Sequence, residues 1–76
     1  MRKAKNRQKA IVEALKAVQK RLGLSGRKMS GRLGRAHNFI SEVYRGQHRL
    51  YLDEFLDMCE KLDVSTHEVI EMILKG

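Results

Sequence analysis

Residues 25–46 read SGRKMSGRLGRAHNFISEVYRG, and this stretch decides the fold. It carries two short helical patterns separated by Gly34, Arg35 and Ala36. Ser25 is a favourable N-cap for the first, which is predicted to span Gly26 to Leu33 with Met29 and Leu33 facing one way. Ser30, at its middle, is small, as a close crossing of two helices requires. Gly31 inside this helix costs about 1 kcal/mol relative to alanine, a cost that neighbours packed on it would offset. Gly34 supplies the positive φ of a sharp inter-helix turn. The second helix is predicted to run from His37 to Arg45 and to close at Gly46. Ile40 and Val43 form its buried side and Phe39 its edge, while Ala36 gives it no capping side chain.

Outward from this pair, the remaining sequence is helical as well. Ile11, Leu15, Val18 and Leu22 recur at helical spacing and predict a helix from about Lys5 to Leu22, ended by Gly23. Leu52, Phe55, Leu56, Cys59 and Leu62 give a broad apolar face to a helix over Leu52 to Leu62, with Asp53 and Glu54 at its positive end. The acids of this helix are expected to form a solvated face, not a catalytic pair. Ser65 and Glu68 form a capping box for a last helix. Its apolar residues Val69, Ile70, Met72, Ile73 and Leu74 are too many for one buried side. Val69, Ile70, Ile73 and Leu74 are therefore expected to cover a second subunit as well as the core. The fold class is all-α: a compact five-helix domain over residues 9–76, preceded by a basic arm over residues 1–8.

Charge narrows the choice of partner. Of 16 Lys and Arg, 14 fall in residues 1–50 with only Glu13 and Glu42, a balance of +12, whereas residues 51–76 carry −5. One positive face suits a polyanion, nucleic acid first; a membrane surface, an acidic protein or plain solvation is the alternative. Chains of 76 residues bury little surface and gain from association with a second copy. The lone Cys59 forms no internal disulfide, and a reducing cytoplasmic setting is expected. No apolar run approaches the roughly 20 residues of a membrane span, and no secretory signal is evident. His37, His48 and His67 stand at no metal-ligand spacing with Cys59, which falls on an apolar face. No metal, cofactor or enzymatic chemistry is expected.

The stretch GLSGRKMSGRLGRAHNFISEVYRG, residues 23–46, together with KLDVSTHEVI, residues 61–70, resembles the Cro/lambda-repressor-like (XRE-type) helix-turn-helix proteins. The likeness lies in the Gly-Leu-Ser opening, the central Leu-Gly turn, the Ile-Ser pair, the closing Arg-Gly and the lead into the last helix. It implies a lambda-repressor-like domain that binds double-stranded DNA, a dimer and a repressor reading a palindromic operator. Four positions depart from the pattern. Gly26 stands where the family often has Gln, which removes one brace on the DNA backbone. Ala36 replaces the usual Ser or Thr cap. Gln19 and Tyr44 replace a frequent Arg–Glu pair together, and a hydrogen bond between them is the expected substitute.

In such a motif the second helix enters the major groove and its N-terminal residues meet base edges. His37, Asn38 and Glu42 are therefore the expected base contacts: Asn pairs with adenine, His donates to guanine and Glu accepts from cytosine. Each also has a plainer reading, Asn38 as a solvated helix start, His37 as a cap or phosphate contact, Glu42 as the brace of a neighbouring Arg. Phosphate contacts are expected from Arg35, Arg45, His48 and Arg49, and from Ser25, Arg27 and Lys28 at a helix N-terminus. Arg2, Lys3, Lys5, Arg7 and Lys9 either track DNA or extend the first helix into solvent. A second protein, a toxin or an antirepressor, is the alternative partner of the apolar C-terminal end. Few aromatics argue against stacking on single-stranded RNA.

Overall fold

The C-terminal ends of the first four helices are set by a small number of backbone hydrogen bonds. The computed structural model describes residues 7–75; Arg2, Lys3 and Lys5 lie outside that range. Among the described residues are five helices and no strand: α1 (Arg7–Leu22), α2 (Gly26–Arg32), α3 (Phe39–Tyr44), α4 (Leu52–Leu62) and α5 (Thr66–Lys75). The protein is an all-helical, compact five-helix fold with a radius of gyration of 11.8 Å. α1 lies along α5, α2 packs on α3, and α4 also meets α5.

The first four helices end in the same motif. After α2 the amide of Gly34 donates to the Gly31 carbonyl (2.9 Å) and that of Arg35 to the Ser30 carbonyl (3.0 Å). This is the Schellman pattern, and it demands a left-handed residue, Gly34, with φ +72°. Glycines 23 and 46 close α1 and α3 in the same way, while at α4 the residue is Asp63, with φ 57°. Asp tolerates this region better than most side chains, which is why α4 ends without a glycine.

The core is drawn from all five helices, with Leu15, Val18, Met29, Ile40, Val43, Leu62 and Val69 fully buried. Several expectations are corrected. α3 begins at Phe39 rather than His37, because Ala36 offers no side-chain acceptor; residues 37 and 38 form a turn instead. Phe39 is buried, not at an edge. On α4, Met58 enters the core, whereas Leu52 (70 %) and Leu56 (43 %) stay exposed. The spacing of α4 had placed both on its apolar face, but α5 covers only part of that face. Val69 is fully buried and so belongs to the core, not to a surface for a second subunit; Ile70 and Leu74 are exposed. No neighbour packs on Gly31, whose added Cβ would meet open space. The capping box is half formed: the Glu68 amide donates to Ser65 Oγ (3.3 Å). The Glu68 carboxylate instead pairs with Arg21 of α1 at 2.9 Å. That pair is half exposed on both sides and contributes little on its own.

Candidate nucleic-acid interface

The α2–turn–α3 unit is held by Ser30, whose hydroxyl is fully buried. It donates to the Gly26 carbonyl (2.8 Å) and accepts from the amide of Ile40 (3.1 Å). The second bond crosses from one helix to the other. Ile40 lies in the first turn of α3, where no carbonyl of its own helix serves the amide. Ser30 is therefore the cap that Ala36 does not supply. Its small size is legible in the sequence; the role of its oxygen depends on where α3 is placed.

With Phe39, Ile40 and Val43 buried, the opposite side of α3 projects outward. Ser41 is exposed on that side, as are His37 and Asn38 in the turn before α3 and Arg45 at its C-cap. Two of the expected base contacts are joined: Asn38 Nδ2 donates to Glu42 Oε2 at 2.9 Å. A carboxylate only accepts, so this bond fixes which end of the amide faces Glu42. It leaves Asn38 Oδ1 and the second amide hydrogen for an outside partner, the two groups that an adenine edge requires. Glu42 thus sits as a brace of Asn38. Arg45, the C-cap residue, lies 3.4 Å from Gln47 Oε1 and is exposed, as is Arg49.

At the N-terminus of α2, Ser25 Oγ accepts from the Lys28 amide (3.1 Å), and Ser25, Arg27 and Lys28 are exposed. The expected Gln19–Tyr44 contact is present: Tyr44 Oη donates to Gln19 Oε1 at 2.7 Å. Gln19 Nε2 in turn donates to the Leu24 carbonyl (3.0 Å), so one amide ties the end of α3 to the loop before α2. Burial pushes the Tyr44 hydroxyl up to about 12.

Two expected phosphate contacts are otherwise engaged. Arg35 and His48 both turn to the carboxylate of Glu54 in the first turn of α4. Arg35 forms an ion pair with it, and His48 Nε2 lies 3.0 Å from its Oε2. The Arg35 guanidinium lies over the Phe39 ring, 4.4 Å from its centre, and the His48 ring meets the same ring edge-on at 4.9 Å. Burial would raise the Glu54 carboxyl, but the His48 hydrogen bond and charge, the Tyr51 amide and Arg35 outweigh it and hold its pKa below the ordinary value. The side chain is 17 % exposed, so Glu54 is not part of a solvated acidic face. Nothing in the spacing of α4 pointed to it, because its partners come from a turn and a loop.

Elsewhere, Cys59 is a buried thiol that burial pushes up despite a hydrogen bond with Thr66. Among the described residues no group of His, Cys, Asp and Glu is arranged to hold a metal, and no helix is long and apolar enough to cross a membrane. No known protein family matches this chain, and no curated protein matches it either.

Proposed function

We propose that this chain is a sequence-specific regulator of transcription that binds double-stranded DNA, a dimeric repressor of the Cro/lambda-repressor-like helix-turn-helix type. The observation that carries the reading is the outward side of α3, where Ser41 on the helix, His37 and Asn38 in the turn before it and Arg45 at its C-cap stand exposed, with Ile40 and Val43 anchoring the helix from below. The charge agrees: Arg27, Lys28 and Arg49 are exposed as well, and 14 of 16 cationic residues lie in the first 50 positions. In this reading α3 enters the major groove, Asn38 and His37 meet base edges, and the exposed cations hold phosphates. Repression follows from occupancy, since a groove filled by α3 is closed to another protein.

The proposed dimer uses the exposed apolar side chains of Tyr51, Leu52, Leu56, Ile70 and Leu74, with half-buried Ile73 at their base. Two copies related by a two-fold axis would read half-sites about one helical turn apart. A monomer that nevertheless binds operator DNA would assign this patch to a second protein, a toxin or an antirepressor, instead.

Selection of bound duplexes from a random pool tests the reading. A palindromic consensus is the expected result; preference for RNA, or no sequence preference, overturns it. On the selected site, Asn38→Ala should cost about 1–3 kcal/mol and relax the choice at one base pair. Arg45→Ala should weaken all duplexes alike and lower the salt slope by about one.

A further inference from the structure

Arg35 and His48 approach one oxyanion from two sides, and the oxyanion is the chain's own. The arrangement is built rather than incidental. The guanidinium lies over the Phe39 ring, and the His48 ring packs in a T-shaped arrangement with the same ring. Both present their donors to the Glu54 carboxylate. A planar guanidinium fork suits a carboxylate and a phosphate equally well. The Arg35 side chain is 40 % exposed, so an outside anion can reach it. Phe39 is the first residue of α3, which puts this pair directly beside His37 and Asn38.

We propose that Arg35 and His48 form an oxyanion seat which Glu54 closes in the free protein, and that a backbone phosphate of bound duplex DNA takes the seat by displacing the Glu54 side chain. The inference rests on the DNA-binding reading for its natural ligand and on the cluster geometry for the seat itself. Glu54 then acts as an internal competitor. Asp53 and Asp57 border the same open depression, so the seat is guarded against loosely held polyanions. A phosphate must be held in register by other contacts before exchange with Glu54 is favourable. This explains why a guanidinium and an imidazole from the basic half of the chain are both held by an acid from the other half.

Glu54→Gln tests it, because it keeps the side-chain volume and removes the competing charge. Far-UV circular dichroism first establishes that the variant is folded. Duplex affinity should then rise about 3–10-fold at low salt, and the salt dependence should steepen by about one, because the variant has no displaced carboxylate to take up a cation against the one the phosphate releases. Arg35→Gln should cost little in the wild-type background and much more in the Glu54→Gln background. Equal or weaker duplex binding by folded Glu54→Gln overturns the proposal and makes Glu54 a support of Arg35 instead. A second arm uses inorganic phosphate alone, followed by NMR. In Glu54→Gln it should shift the His48 ring and Arg35 side-chain signals at millimolar concentration, and in the wild type it should not. This arm needs no DNA, so it decides the seat even where no duplex binds wild type or variant; unmoved signals in Glu54→Gln refute the seat. Should Glu54→Gln not fold, Glu54→Asp withdraws the carboxylate by one methylene and should raise duplex affinity partway, unchanged or lower affinity again overturning the idea.

Discussion

Replacing Ser30 by alanine should unfold this protein out of proportion to the single oxygen removed. The hydroxyl makes two bonds, to the Gly26 carbonyl (2.8 Å) and from the Ile40 amide (3.1 Å), and both residues that it joins to α3 are closed to water: Ser30 and Ile40 are 0 % and 1 % exposed. The carbonyl loses only one of its acceptor options. The amide loses its partner inside the core, and orphaning a buried donor costs about 1–3 kcal/mol where an ordinary bond contributes roughly 1 kcal/mol. A destabilisation of about 2–3 kcal/mol is therefore expected. Globular chains hold about 0.05–0.15 kcal/mol per residue, so for a protein of this size the loss is a large fraction of the total. It corresponds to a fall in Tm of about 10–20 °C, at about 4–8 °C per kcal/mol for small domains. Urea unfolding followed by circular dichroism at fixed protein concentration measures it. Ser41→Ala, on the exposed side of α3, is the control and should stay within about 0.5 kcal/mol of wild type. Amide exchange at Ile40 should accelerate in Ser30→Ala more than exchange at Val43. A Ser30→Ala protein as stable as Ser41→Ala, with Ile40 exchange unchanged, would refute the cap.

Other substitutions test other parts of the fold. Gly31→Ala should stabilise by about 0.5–1 kcal/mol, since the site is helical and open and glycine is the poorer helix former there; a loss of stability would mean that the position is closed in solution. Tyr44 has a folded-state pKa of about 12 against an ordinary 10.0. Below pH 10 both states are protonated and the contribution is complete; as pH rises towards 12 the unfolded chain ionises first and the stability is lost. Tyr44→Phe should lack that step in an alkaline stability profile, and a profile identical to wild type would exclude Tyr44 as its source. Leu52→Glu should leave the circular dichroism spectrum intact, because the residue is 70 % exposed, and should shift sedimentation from dimer to monomer; an unchanged association state would move the proposed interface elsewhere.

The helices of this chain are legible because their signals are local. Apolar periodicity found α4 at its observed limits, and Gly23, Gly34 and Gly46 mark three ends where positive φ is required. What sequence did not disclose depends on contacts between distant residues. Leu52 and Leu56 repeat with the same period as Phe55 and Cys59, and only the placement of α5 decides which of them is covered. Val69 and Ile70 are adjacent apolar residues of one helix, yet one is buried and one exposed. Gln19 and Tyr44 were legible as a pair because both positions depart together from the pattern that the chain resembles. Glu54 was not, since neither Arg35 nor His48 stands at a spacing that singles it out.

α3 has six residues, far fewer than an isolated helix needs to persist in water. Its N-cap residue, Asn38, makes no capping bond. The helix is therefore held by other elements at each end: by Ser30 of α2 and the Arg35–Phe39–His48 stack at its start, by Gln19 of α1 at its finish. Each hold comes from a different part of the chain, so the exposed face of α3 keeps its orientation only while all of them are intact. Weak local capping has a consequence for binding. Energy spent on placing His37 and Asn38 is paid in the free protein by the fold, and little ordering of α3 is left for a partner to induce. Substitutions at Ser30 or Gln19, which lie behind α3 rather than on its outward face, should thus lower affinity for any partner of that face without altering which partner it prefers.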